Sequence, residues 1–400
     1  MRGAAARLFA LLACLALALD ALSLGLSQTV ARVSPALALR LRPGSAAAST
    51  TGAEQRLAAQ DPTGAHRLAL QALARDPANV VGLRVLGLSL EAQGRETAAE
   101  QVMRLAGRLS WRDGTTQAWL LQNSLLAGNA SDAVLRADSL LRRTEDSDSS
   151  PVTGILTAGA QFLPGLRGPL AQRLALDPPW RTRFLIRLGS TPGVEEGARQ
   201  VLTMLRRGSS PPTAQETAPL INQLVGHRQF IQAHADWEDL SPASRSSGRG
   251  SLRDGQFREA SDGTPFTWTL QDGVGASQDR TPAPDLVSGM MALSVTYDGY
   301  ATPDLARQLL VLPPGPRVLS WRERLEEGDG RLLNWRVSCA PSGPVLATSA
   351  AQTGPAGLWR TRQVAFTVPA SGCEGQWLQL IPSSGDRHSS NTMLFTDFSL

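Results

Sequence analysis

Small residues recur at a fixed interval along the first part of the chain. Ala65, Ala99 and Ala133 are separated from one another by 34 residues, and Gly94 and Gly128 keep the same interval. A period of this length is the sequence signature of stacked helix pairs, in which each pair buries its apolar face against the next. The spacing therefore predicts an array of helical repeats.

One copy of the repeat shows how its two helices would pack. Gly87 and Ala99 are small enough to let the helices approach closely, while Leu83 and Met103 fill the space around them. Together with Ala106, these residues occupy positions that resemble those of a tetratricopeptide (TPR) repeat. An unrelated helical bundle with accidental spacing is the alternative. The resemblance implies that the array binds a protein partner in its groove.

The rest of the helical region keeps the apolar spacing but loses the strict period. Residues 28–145 are expected to form the TPR-like repeats, and residues 146–240 to form degenerate helix pairs that continue and cap them. Prolines such as Pro164 and Pro169 punctuate this second stretch. A Ser/Arg/Gly-rich segment, residues 241–250, is expected to be a linker.

Beyond the linker the pattern changes to alternation with a period of two. Runs such as Leu293–Tyr297, Leu333–Cys339 and Val364–Val368 alternate apolar and polar residues and are separated by Gly, Pro, Asp and Ser. This predicts an antiparallel β-sandwich, or jelly roll, over residues 251–400. The expected fold class is multidomain α plus β, with an N-terminal TPR-like α-solenoid followed by the sandwich.

The N-terminus has the pattern of a membrane-targeting segment. Arg2 and Arg7 precede an unbroken apolar run from Leu8 to Leu19. Residues 1–27 are therefore expected to be a signal peptide or an uncleaved anchor in the inner membrane, and a buried first helix of a cytoplasmic protein is the alternative. The targeting interpretation places the rest of the chain in the periplasm.

The cysteines agree with an oxidising compartment. Apart from Cys14, the chain has only Cys339 and Cys373, and both lie in the predicted sandwich next to strand-like runs. We expect one disulfide between them, with two unpaired buried thiols as the alternative.

Charge and motifs argue against several classes of function. The 39 basic residues nearly balance the 35 acidic ones and are scattered, so a nucleic-acid-binding face is not expected. There is no P-loop, nucleophile elbow or His-Glu-x-x-His motif. His227 and His234 are seven residues apart, about 10 Å along a helix, which is too far to hold one metal and suits a solvated polar face. We therefore expect no enzyme, no catalytic residues, no metal and no cofactor.

The C-terminal region resembles a galactose-binding-like jelly roll of the carbohydrate-binding-module type. The segments Arg253–Phe257 and Pro265–Trp268 are similar to the first strand and turn of those domains, and Phe395–Phe398 is similar to their last strand. Such domains often hold calcium through an acidic residue just after the first-strand phenylalanine. Here Arg258 stands at that place, with Glu259 next, so a calcium site is not expected.

Two tryptophans are candidates for a glycan platform, because an indole offers a flat apolar face to a sugar and a polar N–H at its edge. Trp377 alternates with Leu378 and therefore points away from the leucine face, and Trp321 has an ambiguous pattern. Trp335 shares a face with Leu333 and is expected in the core.

The whole architecture resembles bacterial TPR proteins associated with exopolysaccharide synthesis or export. That resemblance implies a non-enzymatic envelope scaffold, with protein contacts through the repeats and a possible polysaccharide ligand on the sandwich. A purely protein-binding adaptor and a glycan-processing enzyme with an unrecognised active site are the alternatives.

Overall fold

The computed structural model describes residues 29–30, 33–42, 44–143, 150–241, 252–271, 275–298, 304–328, 330–350, 354–383 and 391–400. The predicted membrane segment, residues 1–27, and all of the predicted linker except Ser241 lie outside these ranges. Within them, no helix combines the length and the apolar character needed to cross a membrane. The chain divides into two compact units, Met1–Glu145 and Asp146–Leu400.

The first unit is helical. Its helices are α1 (Pro35–Leu41), α2 (Ala46–Ala58), α3 (Pro62–Arg75), α4 (Val80–Ala92), α5 (Glu96–Leu109), α6 (Gly114–Leu126) and α7 (Ala130–Leu141). Ser45, Asn79 and Asp113 stand just before α2, α4 and α6 at 34-residue intervals, and each side chain accepts a hydrogen bond from a backbone N–H three residues later. The turns that end these helices place a residue in the left-handed region at the same interval: Gln60, Gly94 and Gly128. The predicted 34-residue period is confirmed in these helices.

The residues predicted to pack within the repeat are buried. Leu83 is 5% exposed, and Ala99, Met103 and Ala106 are fully buried. A Cβ placed on Gly87 would lie 2.6 Å from the Cγ and Sδ atoms of Met103. Because such a contact is too short, a larger residue at this position would displace the side chain of Met103, which packs over Gly87.

The second unit begins with helices and ends with strands. The helices are α8 (Pro151–Phe162), α9 (Pro164–Leu174), α10 (Arg181–Ser190), α11 (Glu195–Arg207), α12 (Ala214–Gly226) and α13 (Phe230–Leu240). Thr213 and Glu216 form a capping box at the start of α12. Glu216 also forms a buried ion pair with Arg181, at 2.9 Å between Oε2 and Nη2, which joins α12 to α10.

Two antiparallel five-stranded sheets form a β-sandwich. Its strands are β1 (Thr269–Leu270), β2 (Ala276–Pro282), β3 (Met291–Tyr297), β4 (Ala306–Leu310), β5 (Gly315–Glu327), β6 (Leu333–Cys339), β7 (Val345–Thr348), β8 (Arg360–Val368), β9 (Gln376–Pro382) and β10 (Asn391–Ser399). Sheet A has the order β1-β4-β9-β6-β7, and sheet B has the order β2-β3-β10-β5-β8. From β3 to β6 the chain alternates between the sheets, as in a jelly roll. The predicted fold class is confirmed.

The core of the sandwich lies between the inner faces of the two sheets. Trp335 is 1% exposed there, as predicted, and its ring meets Phe395 and Phe398 at centroid distances of 5.5 and 4.7 Å. Cys339 and Cys373 form the predicted disulfide, with their Cα atoms 5.1 Å apart. The bridge fastens the end of β6 to the turn that leads into β9.

Within the second unit, the last helix packs directly on the sandwich. Trp237 is fully buried, and its ring lies 5.5 Å from that of Phe266. Its indole N–H donates to Asp262 at 2.8 Å, and the guanidinium of Arg253 lies 4.6 Å from its ring centroid. These contacts hold α13 against the segment that leads into β1.

Candidate functional site

The outer side of sheet A, which we call the sheet A face, carries a group of polar and aromatic side chains. Because successive strand residues point to opposite sides, the burial of Ala306 and Leu310 in the core turns Arg307 outward. The same alternation directs residues of β9 and β6 to this side. The members of the group are Asp304, Arg307, Arg336, Ser338, Trp377 and Gln379.

Strand pairing sets these residues beside one another. Gln379 in β9 is opposite Arg307 in β4 on one side and Arg336 in β6 on the other. Trp377 is opposite Ser338 in β6. Since β9 is the middle strand of sheet A, Trp377 and Gln379 occupy the centre of the face.

Trp377 lies on the outer face because Leu378 and Leu380 are drawn into the core, where both are fully buried. The indole is half-buried, and the guanidinium carbon of Arg307 lies 5.2 Å from its ring centroid. No acceptor for the indole N–H is found in the part of the chain that the structure describes. The side chain therefore offers both an apolar surface and a hydrogen-bond donor.

Gln379 is the centre of a hydrogen-bond network. Its Oε1 accepts from Ser338 Oγ at 3.2 Å and from Arg336 Nη2 at 3.5 Å, and its Nε2 donates to Asp304 Oδ2. Gln379 and Ser338 are each only 8% exposed, so the network forms a fixed floor. Arg307 and Arg336 lie on the two strands that flank Gln379.

On this face, no carboxylate of the described residues forms an ion pair with either arginine. Among the described residues of the sandwich, ion pairs are made by Arg324 and Arg362, whereas none joins Arg307 or Arg336 to a carboxylate. A guanidinium has five N–H donors. The Nε atoms of Arg307 and Arg336 are buried and without a partner among the described residues, so only their terminal nitrogens could meet a ligand.

Helix α13 closes one end of the sheet A face. Gly375 lies two residues before Trp377 and on the same side of the sheet, and a Cβ placed there would be 2.8 Å from the ring of Phe230. Leu309, the neighbour of Trp377 in β4, is fully buried. At the other edge, Val345 in β7 is 54% exposed, so the face opens in that direction.

The prediction that Trp321 forms a glycan platform is wrong. Trp321 is 1% exposed, its ring stacks on Phe398 at 6.1 Å, and its N–H donates to Glu323 at 2.9 Å. The pattern misled because Glu323 shares the inner face of β5, where a charge is unexpected. That carboxylate is kept inside by Trp321 and by Arg362 at 3.3 Å, and burial raises its pKa.

The expectation of a solvated face for the two histidines is right for His227 and wrong for His234. His227 is half exposed, with Nδ1 3.6 Å from Glu195. His234 instead packs edge-on against Phe266 at 5.0 Å, and its side chain is 16% exposed. Burial lowers the pKa of His234, because the charged imidazolium is poorly hydrated there.

Asp254 organises the backbone of the segment that contains Arg258 and Glu259. Its carboxylate accepts hydrogen bonds from the backbone N–H groups of Arg258 and Glu259, both at 2.8 Å. Burial raises the pKa of Asp254. Nowhere in the described ranges do three His, Cys, Asp or Glu side chains come together as a metal site would require.

Sequence reasoning names Trp377 as a candidate but not the arginines and Gln379 around it. Alternation within β9 was visible, and it could have placed Gln379 on the same side as Trp377. The pairing of β9 with β4 and β6 was not visible, because these strands are far apart in the sequence.

No family model and no curated protein matches the sequence. Among solved structures, the chain is similar to a CBM4 structure at 19% identity and a TM-score of 0.28, covering 37% of this chain and 97% of that chain. It is similar to the CBM22-1 xylan-binding domain from Paenibacillus barcinonensis at 19% identity and a TM-score of 0.25, covering 33% and 82%. A carbohydrate binding module of Cellvibrio mixtus lichenase 5A in complex with cellotriose has 16% identity and a TM-score of 0.19, covering 31% and 87%. TM-scores this low carry no weight in assigning a ligand.

Proposed function

We propose that the sandwich binds a glycan on the sheet A face and that the chain is a non-enzymatic scaffold of the cell envelope. The observation that carries the proposal is the place of Trp377 in the middle strand of sheet A, where no described residue accepts a hydrogen bond from its N–H. A ring in this position can stack on the C–H face of a sugar and donate to a hydroxyl.

The polar surroundings of Trp377 suit a sugar better than an apolar ligand. Sugar hydroxyls both donate and accept, and the face offers guanidinium donors on Arg307 and Arg336 beside the carboxylate of Asp304. The network through Gln379 holds this floor in place before any ligand arrives, which lowers the entropic cost of binding.

The helical repeats are proposed to bind a protein. Apolar side chains are exposed on the last helices of the first unit: Leu105, Leu109, Trp111, Leu126 and Leu135. Exposed apolar groups of this kind are typical of interaction surfaces. On the first helices of the repeats, Arg84 pairs with both Glu54 and Asp113 and so links three successive copies.

We place the protein in the periplasm, held at the inner membrane by residues 1–27. Support comes from the disulfide, because such bonds persist in oxidising compartments. A scaffold that joins a membrane, a protein partner and a glycan would serve exopolysaccharide synthesis or export.

The test is binding of the purified full chain to a panel of bacterial polysaccharides, with Trp377→Ala as the variant. Trp359→Ala is the matched control, because it removes a tryptophan from the other outer face of the sandwich. Saturable binding should be retained in the control and weakened at least tenfold in Trp377→Ala, with both variants folded by circular dichroism.

Other outcomes point to the alternatives. Absence of binding across the panel would favour the protein-binding adaptor. Release of shortened glycan products during the incubation would contradict the non-enzymatic role and identify a glycan-processing enzyme.

A further inference from the structure

The charge of the sheet A face bears on which glycans could bind there. Arg307 and Arg336 face the same side with no carboxylate of the described chain within ion-pairing distance, and Asp304 is their one acidic neighbour in the group. Two half-buried guanidinium groups that pair with no described carboxylate, beside the single charge of Asp304, attract anions more strongly than fully hydrated surface arginines would.

The positions of the arginines suit an extended ligand. They stand at matching register positions on either side of Gln379, on the two strands that flank β9. Neighbouring strands are about 4.8 Å apart, so the two Cα atoms are separated by roughly 10 Å across the sheet. A ligand that crosses the strands at the level of Gln379, next to Trp377 in the same strand, would pass over the positions of both arginines.

We propose that the ligand of the sheet A face is a carboxylate-bearing polysaccharide, with Arg307 and Arg336 binding its carboxylate groups. This inference rests on the proposed glycan-binding function and narrows it to one class of glycan. Guanidinium groups match carboxylates in shape and can donate two parallel hydrogen bonds to them. A neutral glycan would leave that capacity largely unused.

The experiment compares two forms of one polymer on the full chain. Polygalacturonate carries a carboxylate on every sugar, and its methyl ester has the same backbone without the charge. The acid form should bind at least tenfold more tightly than the ester. Arg307→Gln and Arg336→Gln should each weaken binding of the acid form about tenfold, as expected for loss of a charged hydrogen bond.

The control is Arg322→Gln, which removes the same charge from the outer face of sheet B. It should leave affinity within about twofold, whereas a loss equal to that of Arg307→Gln would mean non-specific attraction and overturn the proposal. Equal binding of acid and ester, abolished in both cases by Trp377→Ala, would overturn the charge preference and leave the glycan site standing. Binding of neither polymer, in a chain that also fails to bind the bacterial panel, would overturn both.

Discussion

The two outer faces of the sandwich each carry an arginine above a tryptophan, yet the two pairs have different surroundings. On sheet A, Arg307 lies 5.2 Å from the ring of Trp377 in the middle strand. On sheet B, Arg322 lies 5.9 Å from the ring of Trp359, just before the edge strand β8. The same two residue types therefore serve two structural settings.

On sheet B the polar groups are satisfied inside the protein. The N–H of Trp359 donates to the carbonyl of Pro284 at 2.6 Å, and the ring packs with Ala283, Ala292 and Leu394. Arg324 of the same face is held by Asp285 and Glu326, both at 2.6 Å. A tryptophan whose N–H and ring are used in this way closes a surface, whereas no described residue accepts from the N–H of Trp377 and its ring is only half-buried.

The largest effect on stability is expected from removing the disulfide, which links segments of sheet A. The disulfide closes a loop of 34 residues beside Trp377, and in the chain-entropy account such a bridge stabilises by about 3–4 kcal/mol. The double variant Cys339→Ala with Cys373→Ala should lose about that much free energy of unfolding, measured by urea denaturation of the full chain. Reduction of the unmodified chain is the control without substitution, and an unchanged stability in both would show that the bridge is dispensable.

The next effect compares the two tryptophans directly. Trp359→Ala should cost about 2 kcal/mol of stability, since it removes a ring packed on an apolar cluster and leaves the carbonyl of Pro284 without its donor. Trp377→Ala should cost less than about 1 kcal/mol, because the ring contributes to no described core cluster. Urea unfolding of both variants measures the difference. If Trp377→Ala proved the more destabilising of the two, the contrast between a closing and an open tryptophan would not hold.

The features that could be predicted from the sequence are those that depend on composition or on residues close together along the chain. The 34-residue period, the strand alternation around Trp335 and the disulfide are local or compositional signals, and all three were predicted. The sheet A face was not, because it depends on strands far apart in sequence lying side by side. The prediction for Trp321 was wrong for a related reason. Its buried neighbour Glu323 is compensated by Arg362, a residue on another strand.

The smallest expected effect is the pH dependence of stability that Glu323 causes. It extends the comparison of the two sheets to the interior of sheet B. Burial is the main reason that its pKa is raised above the ordinary 4.5, against the opposing hydrogen bond from Trp321 and the charge of Arg362. The folded state therefore binds a proton that the unfolded chain releases. This contribution to stability is full below pH 4.5 and is lost as the pH rises through the folded-state pKa.

Glu323→Gln keeps the shape of the side chain and removes its titration. The melting temperature of the wild-type chain, relative to this variant, should fall as the pH is raised above 4.5, and thermal unfolding at a series of pH values measures that slope. Asp285→Asn is the matched control, since it removes a carboxylate that is 77% exposed on the outer side of the same sheet. A flat difference for Glu323→Gln would mean that Arg362 fully compensates the buried charge. In that case sheet B would satisfy its interior carboxylate as completely as it satisfies Arg324 on its outer face, whereas on the sheet A face no described carboxylate pairs with Arg307 or Arg336.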